Sequence, residues 1–130
     1  MAIPETPKFD LSRWLLKFIS TTCSQKQLAI FDKSIKRLIH SIPPIFVILS
    51  LYYFKQLPRV DYTVPTLYST FTTVLGLTFK FHSDERVKLS TWSLRSGIEK
   101  PILVKNERLL VWMINWNVSM GELQSFLKSL

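Results

Sequence analysis

Residues 78–118 read TFKFHSDERVKLSTWSLRSGIEKPILVKNERLLVWMINWNV, and this stretch decides the fold. It opens at the end of an apolar run, where Lys80 stands between two phenylalanines and is expected to be buried. A short helix is predicted around Ser90 to Ser96. We expect it to stop at Gly97, because a residue in the left-handed conformation often ends a helix. The stretch therefore predicts helices joined by short connections.

The second half of this stretch predicts a longer helix. Pro101 can occupy its first turn, because the N–H group that proline lacks has no intrahelical partner there. We expect the helix to extend to the polar segment at residues 115–117, with a wide apolar surface formed by Ile102, Leu109, Leu110, Met113, Ile114 and Trp116. Ser119-Met-Gly-Glu122 has the form of a capping box and predicts a last helix.

Towards the N-terminus, the spacing of apolar residues predicts two amphipathic helices. Asp10 is the expected N-cap of the first, whose apolar face is formed by Leu11, Trp14, Leu15, Phe18 and Ile19. Ser24 and Gln27 form a capping box before the second helix. Its solvated face carries the densest group of basic residues, Lys33, Lys36 and Arg37.

Between these helices and the deciding stretch lie two further helical segments. Residues Ile42 to Phe54 carry no charge, so this helix is expected in the centre of the domain, with Ser41 as its cap. It is shorter than the roughly 20 apolar residues that a bilayer span needs. Pro58 to Val64 is predicted to be a loop that leads to a helix starting near Pro65.

Composition places the chain among single-domain helical proteins. It has 130 residues, 47% of them hydrophobic, but only three glycines, which is few for a sandwich or barrel with many turns. The net charge of +8 suits an acidic partner, nucleic acid or an anionic surface. A single cysteine, Cys23, and the absence of a secretory signal at the N-terminus favour the nucleus or the cytoplasm.

The residues that carry chemistry are sparse and scattered. His40, His82 and Cys23 show no zinc-ligand spacing, and no glycine-rich phosphate loop occurs. Asp84 and Glu85 are adjacent in a predicted loop, which suits a turn better than a pair of catalytic carboxylates. We therefore expect no enzyme activity, no metal, no cofactor and no small-molecule substrate.

The order of these segments resembles the cyclin box, and the fungal cyclins of the phosphate-regulation type are the most similar. The resemblance covers roughly residues 27 to 130 and includes an apolar run that ends in two tyrosines, an aromatic-lysine-aromatic step with a later acid, and a tryptophan followed by glycine. The positions that carry it are Tyr52, Tyr53, Lys80, Phe81, Asp84, Trp92, Gly97, Glu107 and Trp116.

This resemblance implies a fold, a partner and a site. The fold would be all-α: a five-helix cyclin-box domain around a central apolar helix, with additional N- and C-terminal helices. Residues 1–9 would be a flexible arm, 10–26 an amphipathic helix and linker, and 27–130 the cyclin-like domain. The partner would be the catalytic subunit of a cyclin-dependent kinase, which the chain activates or targets. Lys80 and Glu107 would bind it, and the other positions would support the site.

Other interpretations remain open from the residues alone. Without the resemblance, the favoured interpretation of Lys80 and Glu107 is that they pair with each other or face water. The basic helix with Lys33, Lys36 and Arg37 is the best contact for DNA, so a helical nucleic-acid-binding module is the alternative function. A small membrane-associated protein that uses residues 42–54 is a third, less favoured one.

Overall fold

The computed structural model of the chain describes residues 10–19, 23–83 and 87–130. Its helices are α1 (Leu11–Leu16), α2 (Gln25–Ile39), α3 (Pro44–Lys55), α4 (Val64–His82), α5 (Leu89–Ser96), α6 (Lys100–Leu110) and α7 (Met120–Ser129). The described residues form no β-strand; one isolated parallel bridge joins Ile19 to Tyr62. The all-α prediction is confirmed, while the five-helix arrangement of a cyclin box stays a prediction.

Local signals in the sequence set several helix ends as predicted. The Asp10 carboxylate accepts a hydrogen bond from the backbone N–H of Arg13 at the start of α1. Before α2, the Ser24 hydroxyl accepts from the N–H of Gln27, whose amide oxygen accepts from the N–H of Ser24. Gly97 ends α5 with φ at 76°. Each signal acts within four residues, which is why the sequence alone revealed it.

Two helix ends differ from the predictions. Ser41 does not cap α3: its φ is 65°, and the helix begins at Pro44 after an N-cap at Pro43. The helix that contains Glu107 ends at Leu110 rather than near residue 115. There, the indole N–H of Trp116 donates to the carbonyl of Val111 at 3.1 Å, so a side chain takes up a carbonyl that the next helical turn would have used.

The middle of the domain is formed by α4. The hydropathy of residues 42–54 had instead predicted that α3 lies there. Helix α4 packs against α2, α3 and α6, whereas α3 packs mainly against α4 and α7. Three buried threonines of α4 donate to carbonyls one turn earlier, so their hydroxyls need no distant partner: Thr72, Thr73 and Thr78. Because these polar residues lower the mean hydropathy of α4, hydropathy alone does not identify α4 as the central helix.

The short helix α1 packs on its own domain, as expected. Leu11 and Leu15 are buried in the same hydrophobic cluster as the core residues of the later helices. The Ser12 hydroxyl donates to the Asp32 carboxylate on α2 at 2.8 Å. Within the described ranges, no helix is long and apolar enough to cross a bilayer.

Candidate protein-docking site

Lys80 and Glu107, which are 27 positions apart, meet on the surface. The Lys80 Nζ lies 2.7 Å from Glu107 Oε1, an ion pair between the last turn of α4 and the middle of α6. The Lys80 side chain is 66% exposed and that of Glu107 is 34% exposed. The expectation of a buried Lys80 is therefore wrong, because the last turn of α4 presents this side chain to solvent beside its neighbouring phenylalanines.

The ion pair lies at the edge of a cleft between α4, α5 and α6. The cleft has a volume of about 720 Å³, and its lining is more apolar than polar. Phe79, Trp92 and Val104 contribute aromatic and aliphatic surface, and Arg108 adds a second cation near Lys80. The combination of an apolar floor and a charged edge is typical of a site that binds a protein segment or a small ligand.

Trp92 is fixed in this cleft by two features of α4. Its indole N–H donates to the carbonyl of Thr72 at 3.2 Å. The ring lies against Gly76, where an added Cβ would come within 2.8 Å of the indole nitrogen. Trp92 was predicted to support the site, and the structure places it in the lining of the cleft.

Tyr53 contacts both His82 at the end of α4 and Trp116 in the segment after α6. The fully buried Tyr53 donates its hydroxyl proton to the carbonyl of Trp116 at 2.9 Å, and its ring stacks on His82. Burial raises the pKa of Tyr53 to about 12. Partial burial lowers the pKa of His82, against the opposing effect of a hydrogen bond to the Trp116 carbonyl.

The remaining predicted positions are spread around this region. Phe81 is 48% exposed and stacks on Trp116 with ring centroids 5.1 Å apart. Tyr52 faces α7, where its hydroxyl donates to the Glu122 carboxylate. Gly97 ends α5, and Asp84 lies outside the described residues. Of the predicted positions, Lys80, Glu107 and Trp92 therefore line one cleft, and the others that the structure describes do not line it.

Several residues of the site have no signal in the sequence that singles them out. Gly76, Val104 and Arg108 line the cleft, although nothing in their local pattern marks them. The apolar surface predicted for α6 divides into two: Leu110 and Ile114 are buried, while Ile102, Leu109 and Met113 are about half exposed. Helical spacing places Ile102 and Leu109 on one exposed apolar face of α6, roughly 150° around the helix axis from Glu107, so this face points away from the ion pair.

The basic residues of α2 do not gather into a marked anion site. Lys36 pairs with Asp32 at 2.9 Å, and this hydrogen-bonded carboxylate raises the pKa of Lys36. Lys33 and Arg37 are exposed on the same helix. Among the described residues there is no group of three or more His, Cys, Asp or Glu side chains placed to hold a metal ion.

Comparisons with known proteins give no family for this chain. No protein-family model, no curated protein and no solved structure matches it.

Proposed function

We propose that this protein is a cyclin-like regulatory subunit that binds a cyclin-dependent protein kinase in the nucleus or the cytoplasm. The observation that carries the proposal is the meeting of Lys80 and Glu107 at the edge of an apolar cleft. These are the two residues to which the cyclin resemblance assigns kinase binding. They come from different helices, and they are accessible to a partner.

The ion pair between these residues does not prevent docking. A solvent-exposed ion pair contributes only about 0–1 kcal/mol, so a partner can displace it at small cost. The Lys80 ammonium then offers three donors to main-chain carbonyls, and the Glu107 carboxylate accepts main-chain N–H groups. Because the partner's backbone supplies both kinds of group, one docked segment satisfies both residues with charge-assisted hydrogen bonds.

Apolar surface next to the pair supplies the remaining attraction. Phe79, Trp92 and Val104 line the same cleft as the pair. Burying such surface favours association by roughly 25 cal/mol for each Å² removed from water. The charged pair sets the register of the docked segment, while the apolar surface provides affinity.

Activation would be a shift between two states of the kinase. The docked subunit favours the state in which the kinase's regulatory helix is turned inward, which completes the lysine–glutamate ion pair that positions the ATP phosphates. The subunit contributes contacts and no reactive group. The surface around Lys80 and Glu107 is therefore expected to control both binding and kinase activity.

A charge-swap experiment tests this role. Recombinant chain is mixed with a panel of purified cyclin-dependent kinases, and co-purification and phosphorylation of a histone H1 peptide are measured. Lys80→Ala/Glu107→Ala is expected to abolish both signals. The swapped variant Lys80→Glu/Glu107→Lys restores an ion pair within the chain but presents the wrong charges to the kinase, so we expect it to remain inactive.

The control is the other ion pair between described residues, Asp32 with Lys36 on α2. Lys36→Ala should leave co-purification intact. Melting followed by circular dichroism should show a Tm change below about 5 °C for the exposed positions. If the swapped variant regains kinase binding, the two residues only hold α4 and α6 together and the proposed docking role is wrong. The proposed docking role is also wrong if no kinase of the panel binds the wild type.

A further inference from the structure

A second cleft lies on another side of the molecule. It is formed where α1, the end of α3, the connection at residues 57–61 and α7 meet, and it has a volume of about 520 Å³. It shares no lining residue with the cleft beside Lys80. Helix α6 packs on α4, whereas α7 packs on α3, so the two clefts can be occupied at the same time.

Packed aromatic rings form one wall of this second cleft. Trp14 lies 5.3 Å from Phe18 and 6.3 Å from Phe126 between ring centroids, the latter edge to face. Phe18 also packs edge to face on the core residue Phe54 at 5.1 Å. These contacts fix the rings, so the wall is preformed. Val60, which is 55% exposed, adds aliphatic surface at the edge.

Cations outnumber acids around this wall. Lys17, Lys55 and Arg59 line the cleft with one carboxylate, that of Asp61. Within the described residues, none of the three cations forms an ion pair. The Lys55 Nζ lies 5.7 Å from the centroid of the Phe126 ring, a cation–π contact that holds it at the edge of the cleft.

The cations are not needed to satisfy the ends of the nearby helices. At the end of α1, the N–H groups of Phe18 and Ile19 donate to the carbonyls of Leu15 and Leu16. At the end of α3, the N–H groups of Gln56 and Leu57 donate to carbonyls of the last turn. Because these carbonyls already have backbone donors, the helix ends do not require the ammonium and guanidinium groups as partners.

We propose that this cleft binds an acidic linear segment of a protein partner, with a bulky apolar side chain set against the aromatic wall and carboxylates beside Lys17, Lys55 and Arg59. The volume matches a few side chains and falls within the usual range for ligand sites. Charge complementarity selects the acidic flanks. This inference is independent of the proposed kinase docking.

A peptide fits this cleft better than nucleic acid or lipid. Phe126 is buried and Trp14 is partly buried, so neither ring offers the fully exposed face on which a nucleobase stacks. The cations surround a concavity instead of following a line along which phosphates of a strand would lie. Within the cleft lining, Val60 is the one largely exposed hydrophobic residue, which is little for insertion into a bilayer.

Fluorescence anisotropy with designed peptides tests the proposal on the full chain. The probe is a fluorescein-labelled ten-residue peptide with a central Leu-Phe pair and four acidic residues on each side. Two comparison peptides replace the acids with amides or the Leu-Phe pair with glycines. We expect the probe to bind saturably and each comparison peptide to bind about tenfold more weakly, because charge and apolar contact both contribute.

Variants of exposed residues locate the binding. Lys17→Glu/Arg59→Glu and, separately, Val60→Ser are each expected to weaken binding of the probe about tenfold. Lys100→Glu/Lys105→Glu on α6 changes the net charge by the same amount, at positions that do not line this cleft. This variant should bind the probe as the wild type does. Circular dichroism checks that every variant is folded.

Three outcomes would overturn the proposal. One is no saturable binding of the probe to the wild type. Another is equal loss of binding in the α6 variant, since this indicates attraction by net charge alone. The third is displacement of the probe by duplex DNA or by phosphatidylserine vesicles at lower concentrations than by unlabelled peptide, which assigns the cleft to a phosphate or lipid partner. Kinase co-purification by the Lys17→Glu/Arg59→Glu variant keeps this result separate from the proposed function.

Discussion

At the scale of single residues, Gly76 determines whether Trp92 can line the cleft beside Lys80. The helix α4 brings its backbone against the indole ring, and a Cβ at position 76 would lie 2.8 Å from the ring nitrogen. The ring cannot move aside freely, because its N–H donates to the carbonyl of Thr72. A small residue at position 76 is therefore a steric requirement of the cleft.

Replacing this glycine should destabilise the protein. We expect Gly76→Ala to lower the free energy of unfolding by about 1–3 kcal/mol, because the indole must shift and strain its hydrogen bond. Urea denaturation measures the change. The matched control is Gly121→Ala in α7, where an added Cβ meets nothing within 4 Å. It should gain up to about 1 kcal/mol from higher helix propensity. Equal effects at the two positions would contradict the steric argument.

At the scale of elements, the start of α2 is determined by the four residues of its capping box, Ser24 to Gln27. Ser24 and Gln27 exchange hydrogen bonds between side chain and backbone, and so satisfy N–H groups that a helix start leaves without partners. The packing of α2 against α1, α4 and α5 then depends on this start. Helix α6 differs, since its start has no side-chain capping hydrogen bond and it packs mainly on α4.

Removal of the cap should weaken α2 and, with it, the domain. Ser24→Ala is expected to cost about 0.5–2 kcal/mol of stability, because the N–H of Gln27 loses its acceptor. Chemical denaturation provides the measurement. Ser24→Asp supplies an equivalent acceptor and should stay close to wild type. A Ser24→Ala variant as stable as wild type would show that packing alone sets the start of α2.

At the scale of the whole molecule, one hydrophobic cluster joins the helices. Leu15 of α1, Phe71 of α4 and Leu103 of α6 belong to the same buried core. Two clefts open on different sides of this core, one with the Lys80–Glu107 pair and one with three cations. A core shared in this way should keep both clefts in a fixed relation to each other.

The shared core predicts cooperative unfolding that includes the short helix α1. Thermal unfolding followed by circular dichroism and by tryptophan fluorescence should give coincident transitions. Leu15→Ala, at a side chain with no exposed surface, should lower global stability by about 2–5 kcal/mol. Trp14→Phe isolates the fluorescence of the other tryptophans as a control. An early, separate transition of Trp14 would indicate that α1 unfolds independently.

The sequence determined the helical class and several helix boundaries, because these depend on interactions within about one turn. The Asp10 cap, the Ser24–Gln27 box and the left-handed Gly97 are all of this kind. The sequence also pointed to Lys80 and Glu107 through an ordered resemblance to cyclins. Kinase binding itself stays a proposal that the charge-swap experiment tests.

Only the tertiary structure decided which surfaces these residues form. The exposure of Lys80, its ion pair with Glu107 and the central position of α4 depend on how segments far apart in the chain pack together. Hydropathy misplaced the centre, since the buried threonines of α4 satisfy their hydroxyls on their own helix. Local signals determine where a helix begins. The burial of a side chain depends on its neighbours in space, and the pattern of the linear sequence does not specify which residues these neighbours are.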